Sequence, residues 1–117
     1  MWYSVELLYQ RLHENDSGTE PLWEESIVLV NAQNEIEARA EGERIGRVQE
    51  HQYKAISGDV VKWVFLQVVE TQEILEDTLG HKTEVFSRFL RQAEVAKLTH
   101  KMGMKVPDKN RKRVRPG

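Results

Sequence analysis

From Trp2 to His13 apolar and polar positions alternate. Tyr3, Val5, Leu7 and Tyr9 fall on one side; Ser4, Glu6 and Gln10 fall on the other, with Leu8 and Leu12 among them. A period of two predicts a strand with one buried face. Glu14 to Pro21 is dense in turn formers and predicts a loop. Leu22 to Val30 alternates again, with Trp23, Glu25, Ile27 and Leu29 on one face and Leu22, Glu24, Ser26, Val28 and Val30 on the other. Two strands joined by one loop are expected to pair as an antiparallel hairpin.

The period then changes. Asn34 followed by Glu37 has the spacing of a helix N-cap with an acidic third residue, and Glu35 and Glu37 suit the positive end of a helix dipole. Ala38, Gly42, Ile45 and Val48 form a narrow stripe at helical spacing, so a helix is expected to run to about Gln49. Gly42 inside it costs about 1 kcal/mol against Ala, a cost that close approach to a sheet would offset. Tyr53 to Ile56 predicts a short strand, Ser57-Gly58-Asp59 a tight turn, and Val60 onward a long strand reaching about Ile74. A strand of that length usually bends, and the polar run Glu70 to Glu73 is the expected place. Thr83 to Leu90 predicts a fifth strand, and Arg91 to Thr99 a short helix. One main helix and five strands in the order β-β-α-β-β-β predict an α+β fold. Its antiparallel sheet has about five strands with the helix packed on one face, then a short C-terminal helix and a basic, disordered tail.

Several of these segments together resemble one family. They are Trp2-Tyr3-Ser4-Val5-Glu6-Leu7-Leu8, the strand Leu22 to Val30, the helix Glu35 to Arg47 with Glu37-Ala38-Arg39-Ala40 at its core, and Tyr53-Lys54. The hairpin Gly58-Asp59-Val60-Val61-Lys62-Trp63 and the closing Glu84-Val85-Phe86-Ser87-Arg88-Phe89 complete the set. In that order they resemble the small bacterial family known as domain of unknown function 4288, over residues 2 to about 90. The resemblance brings no activity, cofactor or site residue with it, and residues after Leu98 lie outside it.

Charge divides the 117 residues in two. Residues 1–98 carry ten Lys and Arg against eighteen Asp and Glu; residues 99–117 carry seven basic residues against Asp108 alone. The C-terminal stretch has too few apolar residues to offset the entropy of ordering. An acidic domain over 1–98 and a basic tail over 99–117 are therefore expected. No apolar run approaches the ~18 residues of a membrane span, and Met1-Trp2-Tyr3-Ser4 leads straight into alternation, without the pattern of a signal peptide. Cysteine is absent, which removes disulfides and thiolate chemistry and fits a cytoplasmic location.

No two of His13, His51, His81 and His100 stand three or four residues apart, so no metal and no cofactor is expected. No phosphate loop or nucleophile elbow is present, so no catalytic residue is assigned. Glu6, Glu24 and Glu84 are candidates to share one sheet face, where paired carboxylates with Arg88 could make a small enzyme cleft; a solvated face is the simpler expectation. Glu25, beside Trp23 and Ile27, needs a partner if buried, with Arg88 or Lys54 as candidates. The candidate binding residues are Glu24, Glu25, Tyr53, Lys54, Trp63, Glu84 and Arg88. An exposed member of the set Trp2, Trp23 and Trp63 would mark an interface.

A lone helix is too narrow to cover both faces of a five-stranded sheet. The expected function is a non-enzymatic interaction module that holds a partner protein and self-associates, as a homodimer, through a sheet face or edge. The first alternative is association with nucleic acid through the tail alone, by Lys109, Arg111, Lys112, Arg113 and Arg115, with no membrane role. The second is the carboxylate and Arg enzyme.

Overall fold

A computed structural model describes residues 1–15, 18, 20–76 and 78–101. Four strands and two helices follow in the order β1 (Trp2–His13), β2 (Trp23–Asn31), α1 (Glu35–Val48), β3 (His51–Lys54), β4 (Val60–Glu73) and α2 (Gln92–Lys101). The strands form one antiparallel sheet in the order β2-β1-β4-β3, an α+β architecture. The chain divides into two compact units, Met1–Phe86 and Ser87–Gly117. The sheet and α1 belong to the first, and α2 to the second.

The central strand β1 has β2 on one side and β4 on the other. Its odd residues Tyr3, Val5, Leu7 and Tyr9 are buried under α1 with Val30, Ala38 and Val68, and Val28, Ile45, Trp63 and Phe65 pack around them. Val5 and Leu7, fully buried, each stabilise the fold by about 1.5–3 kcal/mol. The helix begins as its cap residues require. Asn34 Oδ1 accepts from the Glu37 N–H at 2.9 Å, and Glu37 Oε2 accepts from the Gln33 N–H at 3.2 Å.

The helix seats through two glycines. A Cβ on Gly42 would lie 2.5 Å from Val5 Cγ1, and one on Gly46 would run into the Phe65 ring. The buried stripe is therefore Ala38, Gly42 and Gly46, with Ile45 half-buried. Val48, expected in that stripe, is 70% exposed, because Gly46 two residues earlier, not the branched Val48, meets the sheet. Tyr9 locks the same contact: its hydroxyl lies 3.3 Å from Gly46 O and 3.2 Å from Gln49 Oε1, and its ring meets Phe65 edge-on at 5.8 Å. Burial, with Glu24 and Glu50 nearby, raises the Tyr9 pKa further, so the hydroxyl stays a donor.

In the sheet, two expectations are corrected. Thr83 to Leu90 is not a strand, so the sheet has four strands, not five. Alternation predicts two faces but not a ladder partner, and this segment forms no ladder. Val85 and Phe89 are 42% and 98% exposed. Lys82 ahead of it adopts a left-handed φ of 71° within the Gly80–Thr83 turn. Strand β4 does leave regular pairing, but before the polar run. The register against β1 shifts between Glu6 and Leu7 and between Leu8 and Tyr9, which leaves Val69 and Leu66 as the extra residues. The second unit's helix α2 starts where Arg91 offers its N–H to Glu94 Oε1 at 3.1 Å. The basic tail lies outside the described residues.

Candidate functional site

The sheet order leaves two open edges, on β2 and β3. The direction of every backbone group in β2 follows from its two ends. The Arg11 N–H donates to the Leu22 carbonyl at 2.9 Å, and the Ala32 N–H donates to the Met1 carbonyl at 2.9 Å. The register between them is unbroken from Trp2↔Asn31 to Gln10↔Trp23. Backbone groups alternate in direction along an antiparallel strand. Even-numbered residues of β2 therefore bond to β1, and Trp23, Glu25, Ile27, Leu29 and Asn31 turn their N–H and C=O outward.

The side chains of these five residues share the sheet face away from α1, because β1 residues Trp2, Ser4, Glu6, Leu8 and Gln10 stand opposite them. Ser4 and Glu6 are buried there, while Trp23, Ile27 and Leu29 are 50%, 41% and 44% exposed. Ser26 to Val30 carries no charge, and β2 contains neither Lys nor Pro. The edge is nine residues long and unbulged, and three exposed apolar side chains stand on its outer face beside Glu25 and Asn31; an edge without short length, Lys, Pro or a bulge lacks the usual guards against pairing.

The β3 end is different. His51, Gln52, Tyr53 and Lys54 are all exposed, and the His51 and Tyr53 rings stack at 6.3 Å. Beyond β3, Gly58 takes a φ of 92° in the turn between Ala55 and Asp59. There His13 Nδ1 lies 2.9 Å from Asp59 Oδ2, and the Asn15 N–H donates to Asp59 Oδ1 at 3.0 Å. The His13 bond first, and the Asn15 N–H next, hold the Asp59 carboxyl below its ordinary range. An ionised carboxylate only accepts, so His13 Nδ1 carries the proton. His13 Nε2, the atom a general base would use, is buried with no hydrogen-bond partner among the described residues. The pair acts as a clasp between the end of β1 and the β3–β4 turn. A groove of about 560 Å³ beside it is lined by Leu12, His13, Glu14, Gln52, Val60 and Lys62, with Glu14 its single acid.

The candidate residues from the sequence disperse. Glu24 stands opposite Tyr9 on the helix side; Glu6 stands opposite Ile27 on the other. The expected pairing of Glu6 with Glu24 on one face is thus corrected: their positions in the register have opposite parity. Glu84 lies on no strand and shares no sheet face with them. Glu25 lies on the face away from α1, as its parity requires, and is exposed. Trp63, opposite His51, and Tyr53, opposite Val61, come together on the helix side of β3 and β4, while Lys54, opposite Val60, faces the other way. Arg88 belongs to the second unit. Of the three tryptophans, Trp23 is the exposed one. Lys109, Arg111, Lys112, Arg113 and Arg115 lie outside the described residues. Among the described residues, no group of three or more His, Asp or Glu is placed to hold a metal ion, and no helix is long and apolar enough to cross a membrane.

Sequence reasoning missed Ile27 and Leu29 as site residues, and the His13–Asp59 pair. Alternation marked Ile27 and Leu29 as one face, but only strand order makes β2 an edge. His13 and Asp59 are 46 residues apart in the chain, so no local spacing signals their contact.

No curated protein and no solved structure matches the chain at a significant level. The model of one family, described as Domain of unknown function (DUF4288), matches residues 2–87, which include every strand and α1. The chain belongs to that family.

Proposed function

We propose that this domain is a non-enzymatic binding module that takes an extended chain segment alongside β2. One observation carries the reading: a row of outward N–H and C=O groups from Trp23 to Asn31 runs beneath exposed apolar side chains. Strand addition draws affinity from main-chain hydrogen bonds and specificity from alternate side chains. β2 offers both, with Trp23 as the aromatic anchor at one end.

Displayed random peptides selected on the folded protein test it. Bound peptides are expected to slow amide exchange at Glu25, Ile27 and Leu29. Ile27→Pro is expected to abolish capture while the fold persists, because the Ile27 N–H lies outside the internal ladder and an edge strand tolerates Pro there. Protection confined to β3 or α1 would overturn the reading.

A further inference from the structure

We infer that the segment β2 receives is β2 of a second copy, antiparallel, about a two-fold axis through Ile27; this rests on the reading of β2 as the binding edge. An antiparallel pair of identical strands related by a two-fold axis perpendicular to the sheet keeps both helices on one side and joins the two sheets into one. It also requires residues of like parity to face each other.

An axis through any residue of β2 satisfies that condition, but the resulting registers are not equivalent. Centring on Glu24 or Glu25 sets a carboxylate against its own copy, which is destabilising. Centring on Ser26, Val28 or Leu29, or nearer either end, leaves part of each strand unpaired. Centring on Ile27 pairs the whole of Trp23–Asn31. Ile27 then faces Ile27 of the partner subunit, Leu29 faces Glu25 of the partner subunit, and Asn31 faces Trp23 of the partner subunit. On the helix side Val30 faces Glu24 of the partner subunit, and Val28 faces Ser26 of the partner subunit. No acid stands opposite an acid in this register.

The outward direction of the Ile27 backbone adds a geometric condition. Residues whose N–H and C=O both face the partner strand form the hydrogen-bonded type of antiparallel pair, with Cα atoms about 5.5 Å apart. Trp23, Glu25, Ile27, Leu29 and Asn31 are all of this type, so every outward group of the edge finds a complement. The exposed Ile27 and Leu29 of both copies become one apolar strip across the axis.

The absence of cysteine makes the register directly readable. The full chain carrying Ile27→Cys holds a single thiol, and Tyr53→Cys on β3 is the matched control. Wild-type protein is expected to run as a dimer in size-exclusion with light scattering. A short bifunctional thiol reagent is expected to join Ile27→Cys subunits and not Tyr53→Cys subunits. Ile27→Lys, which sets two like charges face to face, is expected to lower the association constant by about tenfold or more with an unchanged circular dichroism spectrum. Crosslinking at 53 and not at 27, or a wild-type monomer at high micromolar concentration, would overturn the proposal. In either event, peptide protection at Glu25, Ile27 and Leu29 would still uphold β2 as an edge for a foreign strand, and its loss as well would remove the reading beneath.

Discussion

Strand β2 closes its end of the sheet with nine residues, of which Trp23, Ile27 and Leu29 are exposed and the stretch from Ser26 to Val30 is uncharged. Strand β3 closes the other end with four, His51-Gln52-Tyr53-Lys54, all exposed and ending on a lysine. Short length and charge are the usual means of keeping an edge from pairing. β3 has both, and the adjoining His13–Asp59 clasp ties down the turn that follows it. β2 has neither along its middle. Two edges of one sheet, with the same backbone chemistry, thus differ in whether their side chains discourage another strand. What distinguishes them is composition and length, not burial of the ladder itself.

The largest effect separates inner from outer positions on β2. Val28→Pro removes a donor from the β1 ladder and leaves the Val5 carbonyl opposite it unsatisfied, so urea denaturation is expected to show a loss of about 1–3 kcal/mol, with ring strain added. Ile27→Pro, one residue away, is expected to keep most of the stability and lose association. Equal destabilisation by the two would break the assignment of inward and outward groups. Asn34→Ala touches neither edge. It is expected to cost about 1 kcal/mol in thermal or urea unfolding through the lost cap, with light scattering unchanged; a change in association would mean that stability, not the edge, governs pairing.

The clasp at the β3 end gives a smaller, pH-dependent effect. Asp59 has its pKa lowered on folding, so its contribution is present above the ordinary carboxylate range. It is lost as pH falls through the lowered value. Asp59→Asn is expected to destabilise at neutral pH and to flatten the acid limb of the stability curve; an unchanged acid limb would remove the clasp. Smallest of all, Tyr53→Ala on the β3 edge is expected to change stability by no more than about 0.5 kcal/mol and to leave association unaltered. A shift in the dimer equilibrium there would make the two edges alike after all.

Much of this contrast could be read from the chain, and some could not. The faces of β1 and β2 were legible because Tyr3, Val5, Leu7 and Tyr9 alternate without interruption. The α1 cap was legible because Asn34 and Glu37 act within one turn. The extra strand at Thr83 to Leu90 was expected wrongly, since alternation of Val85 and Phe89 says nothing about whether an edge receives them. Hydrophobicity points to Val48 rather than Gly46, because it does not reveal where a backbone must approach the Phe65 ring. The site fared worse than the fold. Glu24 and Glu6 look alike by chemistry, and a register of fixed parity separates them.

What the sequence by itself determined is local and periodic: two strands and a capped helix, a glycine turn at Gly58, an acidic chain with a basic end, and the family. Those features depend on neighbours a few residues away, where the period of side chains and the conformational limits of Asn, Gly and Pro decide. Only the tertiary structure decided that β1 is central and β2 an edge, that Gly46 rests on Phe65, and that His13 meets Asp59. Each of these depends on which distant segment occupies a given side, and hydrogen-bonding groups that look alike along every strand acquire different roles once one flank is filled and the other is open.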